Sequence, residues 1–237
     1  PSDSPSFGCP SSSATSVRKQ LGVTFQIRDL MTAPTIEAMA TKIARAEKEQ
    51  QEPAMLPVSR SIRLPLSFAQ QRLWLLDRIE PGSVAYNVPS VIRIRGALDV
   101  RVLEAALSKV FNRHEGLRAI FAEDEQGPFQ KILRVRDWKL PLTNIDDDGL
   151  TRQDVELKRL AAIELMTPFN LAQGPLFRAR LFRLNDREHV FAVVIHHIVT
   201  DGWSMNLLIR DLAAAYVQMS AHGDVYFESS TLQYADF

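Results

Sequence analysis

The sequence lacks the features that mark secreted, membrane-bound or nucleic-acid-binding proteins. Its single cysteine, Cys9, cannot form an intrachain disulfide, which is typical of proteins of the reducing cytoplasm. No apolar run approaches the roughly 18 residues of a membrane helix, and no charged leader followed by an apolar segment opens the chain. The 28 basic residues equal the 28 acidic ones, so nothing indicates a basic surface for nucleic acid or acidic lipid. We therefore predict a cytoplasmic protein with neither a membrane nor a nucleic acid as partner.

Two common kinds of catalytic site are also missing. No Gly-x-Ser-x-Gly nucleophile elbow occurs, and Cys9 lies in a segment rich in Ser and Pro, so the chain offers no good candidate for an acyl-enzyme nucleophile. No Cys and no pair of carboxylates accompanies the adjacent histidines His196 and His197 to complete a zinc-like ligand set. We predict no metal site.

Composition divides the chain into four segments. Hydrophobic residues make up 46% of the sequence, which is enough for one substantial core and a small appendage. Because the chain begins with Pro1 rather than Met, we expect a fragment or a processed chain. The predicted segments are 1–16, of low complexity with little fixed structure; 17–46, helical, with Thr35 as N-cap; 47–64, a linker; and 65–237, the main domain.

Helical and strand-like spacings of apolar residues alternate irregularly along the main domain. This order favours an α/β (α+β) layered sandwich over a strict parallel repeat. The predicted helices are 68–78, 100–113, 152–166 and 204–220, and the predicted strands are 90–95, 117–122, 129–135, 176–184 and 189–195.

The adjacent histidines follow an apolar run over 191–195 that predicts a strand buried on both faces. Because side chains alternate along a strand, His196 and His197 point apart and do not converge on one metal. We expect one of these histidines to face a cavity and the other to be fixed in the core. The unperturbed pKa of histidine, about 6.5, suits proton transfer near neutrality.

Asp201 and Gly202 form a predicted turn before the last helix. The positive end of that helix would favour a neutral imidazole, the form that accepts a proton. Asp201 is either an ordinary N-cap or a functional acid. The histidine pair alone is equally consistent with a structural role.

Several ordered motifs resemble those of the condensation domains of nonribosomal peptide synthetases, from about residue 64 to the last residue. Residues 196–202 resemble the HHxxxDG signature of that family. The sequence Ala-Gln-Gln-Arg-Leu-Trp at 69–74 resembles the subtype that joins two L-configured residues. The other matching segments are 67–76 with 80–89, 113–121, 169–179 and 234–237.

This resemblance implies one lobe of the chloramphenicol acetyltransferase-like fold, with a small helical remnant before it. In that family two lobes enclose a tunnel, and this chain would supply the N-terminal lobe alone. The implied reaction is amide bond formation between aminoacyl or peptidyl thioesters. The substrates would be held on the phosphopantetheine of partner carrier domains, so the lobe itself would bind no cofactor. The implied partners are donor and acceptor peptidyl carrier domains, the second lobe and an adenylation domain.

The resemblance also assigns roles within the site. His197 would be catalytic, either deprotonating the acceptor amine or orienting it and stabilising the developing charge. Asp201 would pair with Arg113 to fix the loop, and Gly202 would permit a tight turn. The residues assigned structural or supporting roles are His196, Asp201, Gly202, Arg113 and Arg118. Capping of a helix C-terminus would equally explain the two arginines.

Two other functions share these motifs. A lobe lacking turnover could dock carrier domains without catalysis, and an epimerisation domain also carries HHxxxDG, although the opening motif argues against it. Residues 17–46 resemble the C-terminal part of a peptidyl carrier domain. No serine at 6–11 fits the Gly-Gly-x-Ser motif that bears phosphopantetheine, so we assign no attachment site.

Some conspicuous side chains carry simpler expectations. Trp74 and Trp203 are predicted to be core residues. His189 and His222 are predicted to be exposed to solvent. His114 is predicted to form a weak surface pair with Glu115.

Overall fold

The protein forms two compact units, Pro1–Ala54 and Met55–Phe237. The computed structural model describes residues 27–33, 35–46, 56–134, 138–145, 150–227 and 232–237, together with Leu21 and Val23. The predicted low-complexity segment over 1–16 lies outside these residues. Within the described ranges, no helix combines the length and the apolar character needed to cross a membrane.

The described residues of the first unit include two short helices, α1 (Ile27–Thr32) and α2 (Ile36–Arg45). The predicted N-cap is confirmed, because the Thr35 hydroxyl accepts a hydrogen bond from the backbone N–H of Ala38 at 3.2 Å. The Lys42 ammonium links the two helices by donating to the Asp29 carboxylate at 2.9 Å.

The second unit holds the remaining elements. Helices α3 to α6 span Phe68–Ile79, Val100–Arg113, Leu150–Met166 and Gly202–His222. Strands β1 to β6 span Asn87–Arg95, Ala119–Asp124, Gly127–Ile132, Leu142–Asn144, Phe177–Asn185 and Glu188–His196. Three 3₁₀ turns cover Glu115–Arg118, His197–Val199 and Tyr234–Asp236.

Local sequence signals explain where the first helices of this unit begin. Ser67 accepts a hydrogen bond from the Gln70 backbone, and the Gln70 side chain accepts one from the Ser67 backbone, which is a capping box. The Asp99 carboxylate accepts from the N–H groups of Arg101 and Val102 at the start of α4. The predicted helix over 100–113 is confirmed, and the one over 68–78 ends one residue later.

Four strands form the main sheet in the order β1-β6-β5-β4. The first two pairings are antiparallel, and β5 pairs with β4 in parallel. Strands β2 and β3 form a separate antiparallel hairpin. Strand β4 was not predicted, because three residues are too short to show an alternation of polar and apolar side chains. The strand predicted over 117–122 begins later than expected. Its first two residues belong to a 3₁₀ turn, and β2 begins at Ala119.

Helices cover both faces of the main sheet, so the predicted layered sandwich is confirmed. Odd-numbered residues of β5 and β6, such as Phe177 and Val193, pack against α4 and α6. Even-numbered residues, such as Phe182 and Val190, pack towards α5. The apolar residues of α4 that are buried in this core are Leu103, Ala106, Leu107, Val110 and Phe111.

The second unit begins inside the predicted linker over 47–64. Leu64 is 1% exposed. Arg60 forms ion pairs with Glu115 and Asp236 at 2.6 Å each. The described part of this segment therefore packs with the second unit, since its side chains find partners that are distant in sequence.

Three expectations about single side chains need correction. His189 is 2% exposed rather than solvent-exposed, because it lies on β6 between β1 and β5; burial lowers its pKa. Trp203 is 83% exposed and is not a core residue. His114 does not pair with Glu115: its ring contacts Asp211. His222 is exposed to solvent, as predicted. Trp74, predicted to be a core residue, is partly buried and packs against the core around Leu66.

Candidate functional site

A cavity of about 760 Å³ opens beside the HHIVTDG segment. Helix α3 and the 3₁₀ turn at Glu115–Arg118 form part of its wall. The loop over 197–201, the first half of α6 and residues 232–235 form a further part. The end of α4, Tyr86 and residues of β2, β3 and β6 complete it. Apolar side chains from these elements surround a small number of histidine, arginine and aspartate groups, which is the composition expected of a ligand site.

His196 ends β6 and is buried in the core, in line with the structural role that the resemblance implied for it. It is 3% exposed, and its Nδ1 accepts a hydrogen bond from the Ile198 backbone at 3.1 Å. The rings of Tyr86 and Phe169 lie 6.2 and 6.1 Å from its centroid. Burial, with a smaller contribution from the charge of His197, lowers its pKa to about 4. His196 is therefore neutral at pH 7, and its Nδ1 already accepts a hydrogen bond from the backbone of the following turn.

His197 begins the following 3₁₀ turn and lines the cavity with an exposed side chain. Its backbone N–H donates to the Tyr86 carbonyl at 2.8 Å. Its Nδ1 lies 2.6 Å from the carbonyl oxygen of Thr200. Because a carbonyl oxygen can only accept, Nδ1 carries the hydrogen and donates it. The neutral ring then has its lone pair on Nε2, and no described protein group occupies that nitrogen.

Asp201 is the N-cap of α6. Its carboxylate accepts from the Ser204 backbone N–H at 2.7 Å and from the Ser204 hydroxyl at 2.6 Å. These hydrogen bonds, the hydroxyl first, lower its pKa. The predicted ion pair with Arg113 is wrong, because the carboxylate is exposed and engaged in holding its own helix. Of the two alternatives left open for Asp201, the structure shows the N-cap.

Gly202 is the first residue of α6, and the tight turn predicted for it is wrong. Its φ is not in the positive range that only glycine adopts readily. No atom lies within 4 Å of the position that a Cβ would occupy. The backbone here is an ordinary helix start.

Arg113 and His114, at the end of α4, meet Asp211 on α6 across the cavity wall. The Nε2 of His114 lies 3.0 Å from Oδ2 of Asp211, and the Nε of Arg113 lies 3.7 Å from the same oxygen. The Arg113 guanidinium also stacks over the Phe227 ring at 4.6 Å. Burial lowers the pKa of His114, although the carboxylate opposes this shift. Asp211 takes the acidic role predicted for Asp201, since α4 packs against α6 two to three turns past the N-cap.

Arg118 is buried, with 7% of its surface exposed, and does not line the cavity. Its guanidinium donates to the carbonyl oxygens of Leu133 and Asn112. Burial lowers its pKa. This arginine ties the end of α4 to the chain that follows β3.

The sequence reasoning missed two parts of the site. The Thr200 carbonyl that orients His197 is a backbone group and has no sequence signature. Asp211 lies in a helical pattern, where an acidic residue is expected at the surface. Only the packing of α4 on α6 brings it to His114 and Arg113. Within the described residues, no three His, Cys, Asp or Glu side chains come together as a metal-binding group.

Known proteins resemble this chain over most of its length. A linear gramicidin synthase from Brevibacillus parabrevis is 39% identical over 228 residues, which cover 94% of this chain and 4% of that protein. Malpibaldin synthetase from Mortierella alpina is 42% identical over 199 residues, covering 83% of this chain and 4% of its own length. The chain therefore spans a small fraction of these relatives.

Solved structures share the fold. The X-domain from teicoplanin biosynthesis is 36% identical with a TM-score of 0.68, covering 78% of this chain and 39% of that one. The first condensation domain of the CDA synthetase is 26% identical with a TM-score of 0.64, covering 72% and 43%. The chloramphenicol acetyltransferase-like fold implied by the motifs is confirmed.

The sequence model of the condensation domain matches residues 61–237. That range contains the layered sheet, the cavity and both histidines. The protein belongs to the condensation-domain family of nonribosomal peptide synthetases.

Proposed function

We propose that this chain is the N-terminal lobe of a condensation domain that forms an amide bond between two carrier-bound thioesters. One observation carries the proposal: the Thr200 carbonyl holds the Nδ1 hydrogen of His197, which leaves the basic Nε2 of a cavity-lining imidazole unoccupied. A neutral imidazole in this tautomer can accept a proton from an amine.

The chemistry needs no covalent enzyme intermediate, because a thioester is already activated. The acceptor amine attacks the thioester carbonyl, the C–N bond forms, and the C–S bond breaks with release of the donor thiol. The amine loses one proton, which His197 accepts at Nε2 and the departing sulfur finally receives. Most of the acceleration would come from holding amine and thioester in contact.

His197 acts in this proposal either as the base or as a group that orients the amine. The fixed tautomer supports both, because an Nε2 lone pair accepts a hydrogen bond before it accepts the proton. Asp201 does not orient this ring, since its carboxylate accepts from Ser204 instead. The positioning comes from the Thr200 carbonyl.

The substrates and partners follow from the same proposal. Aminoacyl and peptidyl groups would arrive on the phosphopantetheine of donor and acceptor carrier domains in the cytoplasm. A second lobe would close the cavity, and an adenylation domain would supply the activated residue. The motif at 69–74 favours joining two L-configured residues over epimerisation. Residues 17–46 would be the end of a preceding carrier domain.

A second candidate function is a docking lobe without turnover. One solved structure that this chain resembles is a complex of the X-domain and OxyB from teicoplanin biosynthesis, 35% identical with a TM-score of 0.70. That protein of the same fold is thus seen bound to another protein. A docking lobe would bind carrier domains but need no basic nitrogen in its cavity.

Turnover of the full-length synthetase that contains this lobe tests the two functions. With donor and acceptor carriers loaded, His197→Ala should slow amide formation by about 10²- to 10⁴-fold, the usual contribution of a general acid or base. The product is measured by chromatography and mass spectrometry. His222→Ala is the control, because His222 is exposed at the far end of α6. An unchanged rate in a folded His197→Ala protein would exclude the catalytic role, and carrier binding without any wild-type product would favour the docking lobe.

A further inference from the structure

Arg60 joins three segments that are far apart in the sequence. Its Nη1 and Nη2 donate to the two carboxylate oxygens of Asp236 at 2.6 and 3.0 Å. Its Nε donates to the Glu115 carboxylate at 2.6 Å, and its Nη1 also donates to the Val58 carbonyl at 2.7 Å. The guanidinium thus binds the Asp236 carboxylate through its two terminal nitrogens and the Glu115 carboxylate through Nε.

Asp236 receives four hydrogen bonds in this arrangement. Besides the two from Arg60, the backbone N–H of Val58 donates at 2.8 Å and that of Gln233 at 2.7 Å. The Asp236 side chain is 1% exposed. We refer to Val58, Arg60, Glu115, Gln233 and Asp236 as the clamp.

The clamp holds one wall of the cavity. The segment over 232–235 and Gly116 line the cavity together with the histidine loop over 197–201. The Glu115 backbone donates to the Gln233 side chain at 3.1 Å, so the two clamped segments also bind each other. Gly116 follows Glu115 directly, and a Cβ placed on it would stand 3.7 Å from the Val199 carbonyl oxygen. The turn that carries Glu115 therefore passes close to the turn that carries His197.

We propose that Arg60 is a positioning residue for the cavity, and that its guanidinium sets the place of the 232–237 segment and of the 115–118 turn relative to His197. Arg60 lies one residue before the range that the family model matches. The working lobe therefore starts earlier than that range, at the clamp. The effect on turnover rests on the proposed function, whereas the effect on the wall does not.

A lysine cannot replace the arginine here. A guanidinium presents a planar fork that matches a carboxylate with two parallel hydrogen bonds, while an ammonium is a point charge. Arg60→Lys keeps the positive charge but loses the simultaneous contacts with both carboxylates. It is therefore a milder test than Arg60→Ala and preserves the fold better.

Arg63 supplies a matched control on the same segment. It also donates twice to one carboxylate, that of Asp124, at 3.3 and 3.1 Å, and it contacts the Gly127 carbonyl. Its side chain is 33% exposed, against 24% for Arg60. Neither Arg63 nor its partners line the cavity. Arg63→Lys thus removes the same chemistry from the turn of the β2–β3 hairpin at Asp124 and Gly127, which does not line the cavity.

The first experiment measures hydrogen exchange by mass spectrometry in the 237-residue chain and needs no turnover. Arg60→Lys should speed amide exchange in peptides covering 232–237 and 115–118 by about tenfold, because a charge-assisted network closes these segments. Arg63→Lys should leave those peptides unchanged and affect the hairpin. Equal exchange of 232–237 in wild type and Arg60→Lys would overturn the proposal.

The second experiment measures amide formation by the full-length synthetase at a temperature where all variants are folded. Arg60→Lys should lower kcat by about 10- to 100-fold, the cost of a misplaced reacting geometry, while Arg63→Lys keeps the wild-type kcat. If Arg60 were purely structural, Arg60→Lys and Arg63→Lys would have the same kcat. That result would overturn the positioning role. If wild type itself forms no amide bond, the proposed function fails, while hydrogen exchange still decides the clamp.

Discussion

At the scale of single residues, the adjacent histidines have opposite environments because the chain changes conformation between them. His196 is the last residue of β6 and shares a face with Val194, within the core that includes Phe169. His197 is the first residue of a 3₁₀ turn and faces the cavity. Strand alternation predicted this divergence. The hydrogen bond to the Thr200 carbonyl, which fixes the tautomer of His197, was not predictable.

The buried His196 should make folding stability depend on pH. Its folded pKa of about 4 lies below the ordinary value of 6.5. The unfolded chain therefore binds a proton as the pH falls below 6.5, while the folded chain does not until about pH 4. This stabilisation is complete above pH 6.5 and is lost as the pH falls towards 4. The loss at pH 4.5 amounts to about 2–3 kcal/mol. Urea unfolding at pH 7.5 and 4.5 measures this loss.

His196→Asn separates this contribution from that of the other histidines. An asparagine side-chain oxygen can replace Nδ1 as the acceptor for the Ile198 N–H but does not titrate. The variant should therefore lose less stability than wild type on acidification. An identical loss in both proteins would show that His196 is not the source.

At the scale of elements, helix termini decide what several motif residues do. Asp201 caps α6, and Arg178 donates to the Glu164, Thr167 and Pro168 carbonyls at the end of α5. Such residues satisfy backbone groups that the helix itself leaves unpaired at its two ends. A motif in the sequence does not reveal whether a residue has this role or a catalytic one.

Asp201→Ala should destabilise the protein only modestly. The loss of an N-cap costs about 1 kcal/mol, whereas breaking a buried ion pair would cost about 3–5 kcal/mol. Asp201→Asn, which keeps a capping oxygen, should cost less than the alanine variant. The free energy of unfolding in urea distinguishes these cases. A loss of several kcal/mol in Asp201→Ala would contradict the assignment as a cap.

At the scale of the whole molecule, aromatic packing joins the sheet to the helices that form the cavity. Phe177 on β5 is fully buried and packs in one cluster with Phe111 of α4 and Trp138. Its ring centroid lies 5.7 Å from that of Phe111 and 4.9 Å from that of Trp138. The position of α4, which carries Arg113 and leads into His114, depends on this contact.

Phe177→Ala should cost about 3–5 kcal/mol, because it leaves a cavity in a tightly packed core. Val155→Ala on the exposed face of α5 is the control and should change stability by no more than about 0.5 kcal/mol; Val155 is 62% exposed. Urea or thermal unfolding measures both. Similar effects of the two substitutions would show that the aromatic contact does not organise the core.

Local periodicity and ordered motifs, both readable in the sequence, were enough to predict much of this protein. The spacing of apolar residues predicted the helix over 100–113, the layered sandwich and the divergence of His196 from His197. The ordered motifs predicted the family. The pairs that span long distances in the chain emerged only on folding. Asp211 rather than Asp201 meets Arg113, and Arg60 meets Asp236, because a charged side chain takes the partner that folding brings within a few ångströms. Sequence spacing carries no record of that proximity.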